Sequence, residues 1–118
     1  MYGLPSDTDL SFLAGQELHQ VCIGRHQAIL RFTHASVSIE TDVAHKSKLG
    51  EITALYKTIT PSASMLVNFI NCTIVKASGK PPGTLVLEFS NEEALEIYDA
   101  NSESESYQIM YDNKVIVV

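Results

Sequence analysis

The residues best suited to chemistry in this sequence lie in an acidic segment near its end, residues 99–105, which reads Asp-Ala-Asn-Ser-Glu-Ser-Glu. Oxygen-bearing side chains at alternate positions are what a calcium loop needs. The EF-hand pattern also needs a glycine at its sixth position and a glutamate at its twelfth, where this chain has Ser104 and Met110. We therefore expect a solvated acidic loop without a metal ion. The candidate binding residues are Asp99, Glu103, Glu105 and Tyr107.

Histidine and cysteine side chains form a second possible constellation, this one in the first third of the chain. Its members are His19, Cys22, His26 and His34. No two of them have the spacing of a familiar zinc site, and we expect neither a metal nor another cofactor. Cys22 and Cys72 each lie in an apolar stretch, which predicts buried, reduced thiols. A cysteine–histidine dyad formed by the fold stays open as an alternative.

Strands are the main elements that would position these residues. Apolar and polar residues alternate over residues 28–32, 37–42 and 85–90, which is typical of an antiparallel sheet with one solvated face. Residues 107–111 and 114–118 predict a hairpin with Asp112-Asn113 as its turn. Residues 51–60 carry a helical stripe but are rich in β-branched residues, so both helix and strand stay open there, with helix slightly favoured.

The second half of the chain resembles the first in its pattern. Short helical segments begin near Leu10 and near Leu66, and each is followed by a residue that tolerates positive φ, Gly15 or Asn71. Three strands are expected after each. The sequence thus predicts an α+β fold, a mainly antiparallel sheet with short helices. It also predicts two pseudo-symmetric helix-plus-three-strand repeats, residues 10–42 and 66–99, packed together, with a strongly curved half-barrel as the alternative.

Length and composition limit the classes of function. The chain has 118 residues, which fits a single domain over residues 1–118, and 45% of them are hydrophobic, enough for an ordinary core. A net charge of −6 disfavours nucleic acid and anionic membrane as partners. The N-terminal residues lack the basic and apolar regions of a signal peptide, so we expect a cytoplasmic protein.

The last third of the chain resembles the closing half of small uncharacterised bacterial proteins. The resemblance rests on Gly83, Leu85 and Phe89, on the strand with Leu95 and Ile97, and on Asp99, followed by Glu105-Ser106-Tyr107 and Ile109. Those proteins have a tyrosine before the Glu-Ser step, where this chain has Ser104. The resemblance implies no activity, although some proteins of this size and style are immunity partners of toxins.

These patterns favour a non-enzymatic binding or protein-interaction module over an enzyme, because the sequence contains neither a nucleophile elbow nor a glycine-rich nucleotide loop. One form would be an acidic inhibitor or immunity protein that covers a basic site on a partner. The other candidate partner is a second copy of the chain. The competing hypothesis is a small enzyme or ligand carrier with a pocket on the concave face of the sheet.

Overall fold

Alternating apolar residues form ten strands in the parts of the chain that the structure describes, which are Leu4 and residues 8–56, 66–99 and 106–118. The structure is a computed structural model, and it arranges these strands in two five-stranded antiparallel sheets. The bounds are β1 Leu18–Ile23, β2 Ala28–Phe32, β3 Ala35–Ile39, β4 Val43–Lys46, β5 Ile52–Tyr56, β6 Ile74–Lys80, β7 Thr84–Phe89, β8 Ala94–Ile97, β9 Tyr107–Tyr111 and β10 Lys114–Val117. The strand order is β1-β2-β3-β9-β10 in sheet 1 and β5-β4-β8-β7-β6 in sheet 2.

The core lies between the inner faces of the two sheets. Each middle strand contributes every second residue, as Leu30 and Phe32 do in β2 and Leu87 and Phe89 do in β7. The ring centroid of Phe89 lies 6.5 Å from that of Phe32 and 4.8 Å from that of Phe69. The alternation predicted from the sequence thus gives the correct inward faces for β2 and β7.

The predicted α+β class is wrong, because the described residues are 54% strand and only 7% helical, with no helix of seven or more residues. The helical residues form two single 3₁₀ turns, which we call the first turn (Ser11–Leu13) and the second turn (residues 66–69). Each turn buries leucine or phenylalanine against the sheets, including Leu13 and Phe69. One apolar pair at i, i+3 supports a turn of this length, and nothing in the pattern extends it.

Of the two alternatives for residues 51–60, the slightly favoured helix is wrong where the structure describes the stretch, since Ile52–Tyr56 is strand β5. Residues 57–60 lie outside the described part. Strand β5 pairs with β4 through a short connection that contains Gly50 at φ 83°. The stretch forms a strand because its β-branched residues favour extended backbone and because the hairpin connection brings it beside β4.

The two halves of the chain exchange their last strands. Strand β9, from the second half, pairs with β3 of the first, and β4, from the first half, pairs with β8 of the second. Backbone hydrogen bonds also join the two halves next to the turns. They run from Gly15 N–H to Ile74 O (2.7 Å), Asn71 N–H to Leu18 O (2.8 Å), Leu18 N–H to Cys72 O (2.9 Å) and Ile74 N–H to Gln16 O (2.8 Å). These bonds are reciprocal, because each bond donated by the first half has a counterpart donated by the second half at the equivalent position. The superposition of residues 10–42 on residues 66–99 stays a prediction.

No helix among the described residues is long and apolar enough to cross a membrane.

Candidate functional site

Two of the four candidate binding residues lie in the described part of the chain, and they meet at one place. Asp99 follows β8, and Tyr107 begins β9 with only 1% of its surface exposed. The Ser106 hydroxyl donates to Asp99 Oδ1 at 2.9 Å, and the Tyr107 hydroxyl donates to the carbonyl oxygen of Gly83 at 2.8 Å. Glu103 and Glu105 lie outside the described residues.

This arrangement gives Tyr107 an internal partner and turns its hydroxyl away from solvent. Burial raises the pKa of Tyr107, and the nearby carboxylate of Asp99 raises it further, so the hydroxyl remains a proton donor. A β-carbon at Gly83 would lie 2.9 Å from the Asp99 side chain, which explains why a glycine stands there. The contacts indicate that Asp99 and Tyr107 join β7, β8 and β9, and their binding role stays a prediction.

A network of ion pairs occupies the outer face of sheet 2. The buried carboxylate of Glu96 accepts from Lys46 Nζ at 2.9 Å, lies 3.7 Å from Lys80 Nζ, and accepts from the Tyr98 hydroxyl at 3.3 Å. Burial raises the pKa of Glu96, but the two lysines and the tyrosine outweigh it and leave the pKa below its usual value. The same contact raises the pKa of Lys46. The network keeps both groups charged at neutral pH.

A histidine–carboxylate pair lies near this network, and its carboxylate residue, Glu93, lines a groove of about 490 Å³ that Lys46 and Glu96 also line. His45 Nε2 contacts Glu93 Oε1, and the His45 ring meets the edge of Phe69 at a centroid distance of 4.9 Å. Cys72 lies close enough to Glu93 for the two side chains to interact electrostatically. Burial, and then Glu93, raise the pKa of the Cys72 thiol, which makes it a weaker nucleophile at neutral pH.

The prediction of buried, reduced cysteines is correct for the thiols and wrong for the burial. Both Cys22 and Cys72 are free thiols, and both are intermediate in exposure rather than buried. Among the described residues, no three histidine, cysteine or acidic side chains are placed to hold a metal ion. His26 and His34 lie at bends between strands.

A crevice separates the first turn from the β9–β10 hairpin. It has a volume of about 280 Å³ and is lined by Asp9, Phe12, Ile109, Tyr111, Lys114 and Ile116. The Phe12 ring covers one side of it and lies 4.6 Å from the Tyr111 ring, centroid to centroid. We call it the hairpin crevice.

The outer edge of sheet 1 presents another feature, because β10 is the last strand in its order. Val115 and Val117 are 55% and 39% exposed, and Met110, directly opposite Val115 on β9, is 38% exposed. These three side chains form an apolar strip on the outer face, which we call the β10 strip.

Sequence reasoning placed the β9–β10 hairpin correctly, with Asp112 in the turn at φ 53°. It missed both the crevice and the strip. The alternation of Val115, Ile116 and Val117 could have suggested an edge strand with one apolar outer face, since three apolar residues in a row cannot all point inward. The crevice left no comparable signal, because its walls are far apart in sequence.

No family model matches the chain, and no match was found among curated proteins or solved structures.

Proposed function

We propose that this protein is a non-enzymatic interaction module that binds an extended segment of a partner protein along the edge of β10. The observation that carries the proposal is the β10 strip on a regular, accessible sheet edge. Addition of a strand to such an edge is a common mode of peptide recognition, in which backbone hydrogen bonds supply affinity and side-chain contacts supply specificity.

The hydrogen-bond pattern of the hairpin leaves the correct backbone groups available. Val118 N–H donates to Tyr107 O at 2.9 Å, and Tyr107 N–H donates to Val118 O at 3.3 Å, so this pair is hydrogen-bonded. Hydrogen-bonded and non-hydrogen-bonded pairs alternate in an antiparallel ladder. The backbone groups of Val115 and Val117 therefore point away from β9, toward the position of an added strand.

The edge of β10 also lacks the irregularities that discourage strand addition. The register of β10 against β9 is continuous from Lys114 to Val117. The register shifts where each of the other edge strands pairs with its neighbour, at Leu18/Gln20, His45/Lys46 and Ile74/Lys76. Bulges of this kind protect natural sheet edges from pairing. Edge β10 has only Lys114 as a charged residue within its span.

A basic partner segment fits best, because the net charge of −6 attracts it over distance and speeds association. The partner segment would place small or β-branched residues against Val115 and Val117, as cross-strand neighbours on one face do. An inhibitor or immunity protein would use its surface in this way. A second copy of the chain would meet charge repulsion that salt relieves.

Display of random ten-residue peptides on phage, with this protein as bait, tests the proposal. We expect enriched peptides whose binding is lost in Val115→Pro, a change that removes the outward N–H but leaves the β9 ladder intact. Val75→Thr on edge strand β6 is the control, since Val75 is likewise an exposed valine of an edge strand (60% exposed) and the change leaves the net charge unaltered. We expect the same peptides to bind this control unchanged.

Two results would contradict the proposal. One is that no peptide is enriched above a bait-free control. The other is that the enriched peptides bind Val115→Pro as well as they bind the unchanged protein. Unfolding of Val115→Pro, followed by circular dichroism, must be cooperative for the comparison, and Val115→Lys with Val117→Lys provides a second disruption of the strip if it is not.

A further inference from the structure

The hairpin crevice has an apolar floor and wall built from three residues on the inner face of the hairpin and one ring of the first turn. Ile109 is fully buried and pairs with Ile116 across the two strands. Tyr111 pairs with Lys114 one step further along the same face. Side chains two residues apart on a strand share a face, so these four lie together. Phe12 covers the Tyr111 side.

Two opposite charges flank this apolar interior. Asp9 lies at the start of the first turn, where its Oδ1 accepts the Ser11 N–H at 2.9 Å. The Lys114 side chain extends from the first residue of β10. Neither side chain forms an ion pair with any residue in the described ranges. The hydrogen bonds from Ser11 lower the pKa of Asp9, so its carboxylate is ionised at neutral pH.

We propose that the hairpin crevice binds a small zwitterion with an apolar body, namely an α-amino acid with an aliphatic or aromatic side chain. The ammonium group of the ligand lies at Asp9, its carboxylate at Lys114, and its side chain on the partly buried Ile116 and the rings of Phe12 and Tyr111. The volume of about 280 Å³ suits a molecule of this size. Charged partners on both ends orient the ligand, while burial of its side chain supplies most of the affinity.

This site is independent of strand addition to β10, because it lies on the inner face of the hairpin and the β10 strip lies on the outer face. A failure of one proposal therefore leaves the other standing. A ligand in the crevice still contacts the edge strand, since Lys114 and Ile116 belong to β10 itself.

Titration of the isotope-labelled protein by nuclear magnetic resonance tests the site. The probes are L-phenylalanine and L-leucine, with L-serine as a ligand that lacks the apolar body. Two further ligands each lack one charge: 3-phenylpropionate has no ammonium group, and phenethylamine has no carboxylate. We expect saturable shifts of the Ile109 and Ile116 methyl signals with the first two ligands and none with L-serine.

Variants separate the two charges. Asp9→Asn can still accept from the Ser11 N–H, and we expect it to weaken L-phenylalanine binding about tenfold while leaving 3-phenylpropionate unaffected. Lys114→Gln should weaken L-phenylalanine to a similar extent and leave phenethylamine unaffected. Asp112→Asn and Lys76→Gln, which change charges outside the crevice lining, should change neither affinity.

The proposal is overturned if neither amino acid shifts the two methyl signals up to roughly 10 mM, a concentration above any useful affinity for a site of this kind. It is also overturned if Asp9→Asn weakens 3-phenylpropionate as much as L-phenylalanine, because the carboxylate would then act on the shape of the crevice and not on the ammonium group.

Discussion

Tyr107 and Glu96 are both buried polar side chains, and each is stabilised in a different way. The neutral hydroxyl of Tyr107 has a backbone acceptor in Gly83, and its raised pKa keeps the proton in place. The charged carboxylate of Glu96 has two ammonium groups and a tyrosine hydroxyl around it. Buried polar groups stabilise a fold only where such partners exist, because an unmatched one costs its full desolvation energy.

Tyr107→Phe tests the first of these arrangements. The change removes only the hydroxyl, and it leaves the carbonyl of Gly83 without its donor. We expect the free energy of unfolding to fall by about 1–2 kcal/mol in urea titrations. Tyr111→Phe is the control, since the Tyr111 hydroxyl has no hydrogen bond to a described residue, and its effect should stay within about 0.5 kcal/mol. Equal losses in the two variants would show that the Gly83 bond contributes nothing.

Glu96→Gln tests the second arrangement through its pH dependence. The pKa of Glu96 is lowered in the folded protein from a usual value of 4.5. Its ionisation therefore stabilises the fold above about pH 4.5, and this contribution is lost as pH falls through the lowered pKa. Lys46, whose pKa is raised from 10.5, contributes below about pH 10.5 and loses its effect as pH rises through the raised pKa.

The pair thus stabilises the fold between these two limits. We expect Glu96→Gln to lower the free energy of unfolding by about 1–3 kcal/mol at neutral pH. The difference from the unchanged protein should shrink at pH values well below about 4. Glu92→Gln is the control, because Glu92 forms its 3.7 Å pair with Lys48 on the exposed surface. A pH-independent loss in Glu96→Gln would mean that packing, not charge, holds this site together.

At the scale of elements, the sequence predicted the features that depend on residues close together in the chain. The inward faces of β2 and β7, the β9–β10 hairpin and the special conformations of Gly15 and Asn71 follow from alternation and turn chemistry. The stretch 52–56 was misassigned because its apolar spacing satisfies a helix and a strand alike, and pairing with β4 decided between them. Asp9 and Lys114 could not be linked in advance, since only the fold brings a 3₁₀ turn to a distant hairpin.

Gly15 and Asn71 offer a test of the two matched turns. Their φ angles are 87° and 76°, in the left-handed region that a β-carbon disfavours. No atom lies within 4 Å of a β-carbon built on Gly15, so Gly15→Ala should cost only the backbone strain, about 1 kcal/mol of unfolding free energy. Asn71→Ala should cost a similar amount, whereas Asn71→Gly should stay within about 0.5 kcal/mol.

Thermal unfolding of the three variants checks this expectation. If Asn71→Gly were as destabilising as Asn71→Ala, the side chain of Asn71 and not its backbone conformation would be important. If Gly15→Ala had no effect, the first turn would tolerate a different conformation, and the correspondence between the turns would not extend to their energetics.

For the whole molecule, the important feature is that neither half of the chain completes a sheet alone. Strand β3 needs β9, and β8 needs β4, so each sheet is built from both halves. The reciprocal hydrogen bonds of the turns join the halves a second time. The sequence predicted two similar units packed together, but it carried no sign of the exchange, because pairing between strands far apart in sequence leaves no local pattern.

Separation of the halves gives the corresponding prediction. A chain cut between residues 60 and 61 yields one fragment with β1–β5 and another with β6–β10. Each fragment alone would expose the edge of β3 or β8 and the inner faces that now form one core around Phe32 and Phe89. We expect each to lack a cooperative thermal transition as a monomer, and we expect an equimolar mixture to recover the β-sheet circular dichroism of the intact chain.

Sedimentation must accompany the measurement, because two copies of one fragment could exchange hairpins with each other. A monomeric fragment that unfolds cooperatively by itself would show that the exchanged strands are accessory and that each half is an independent domain.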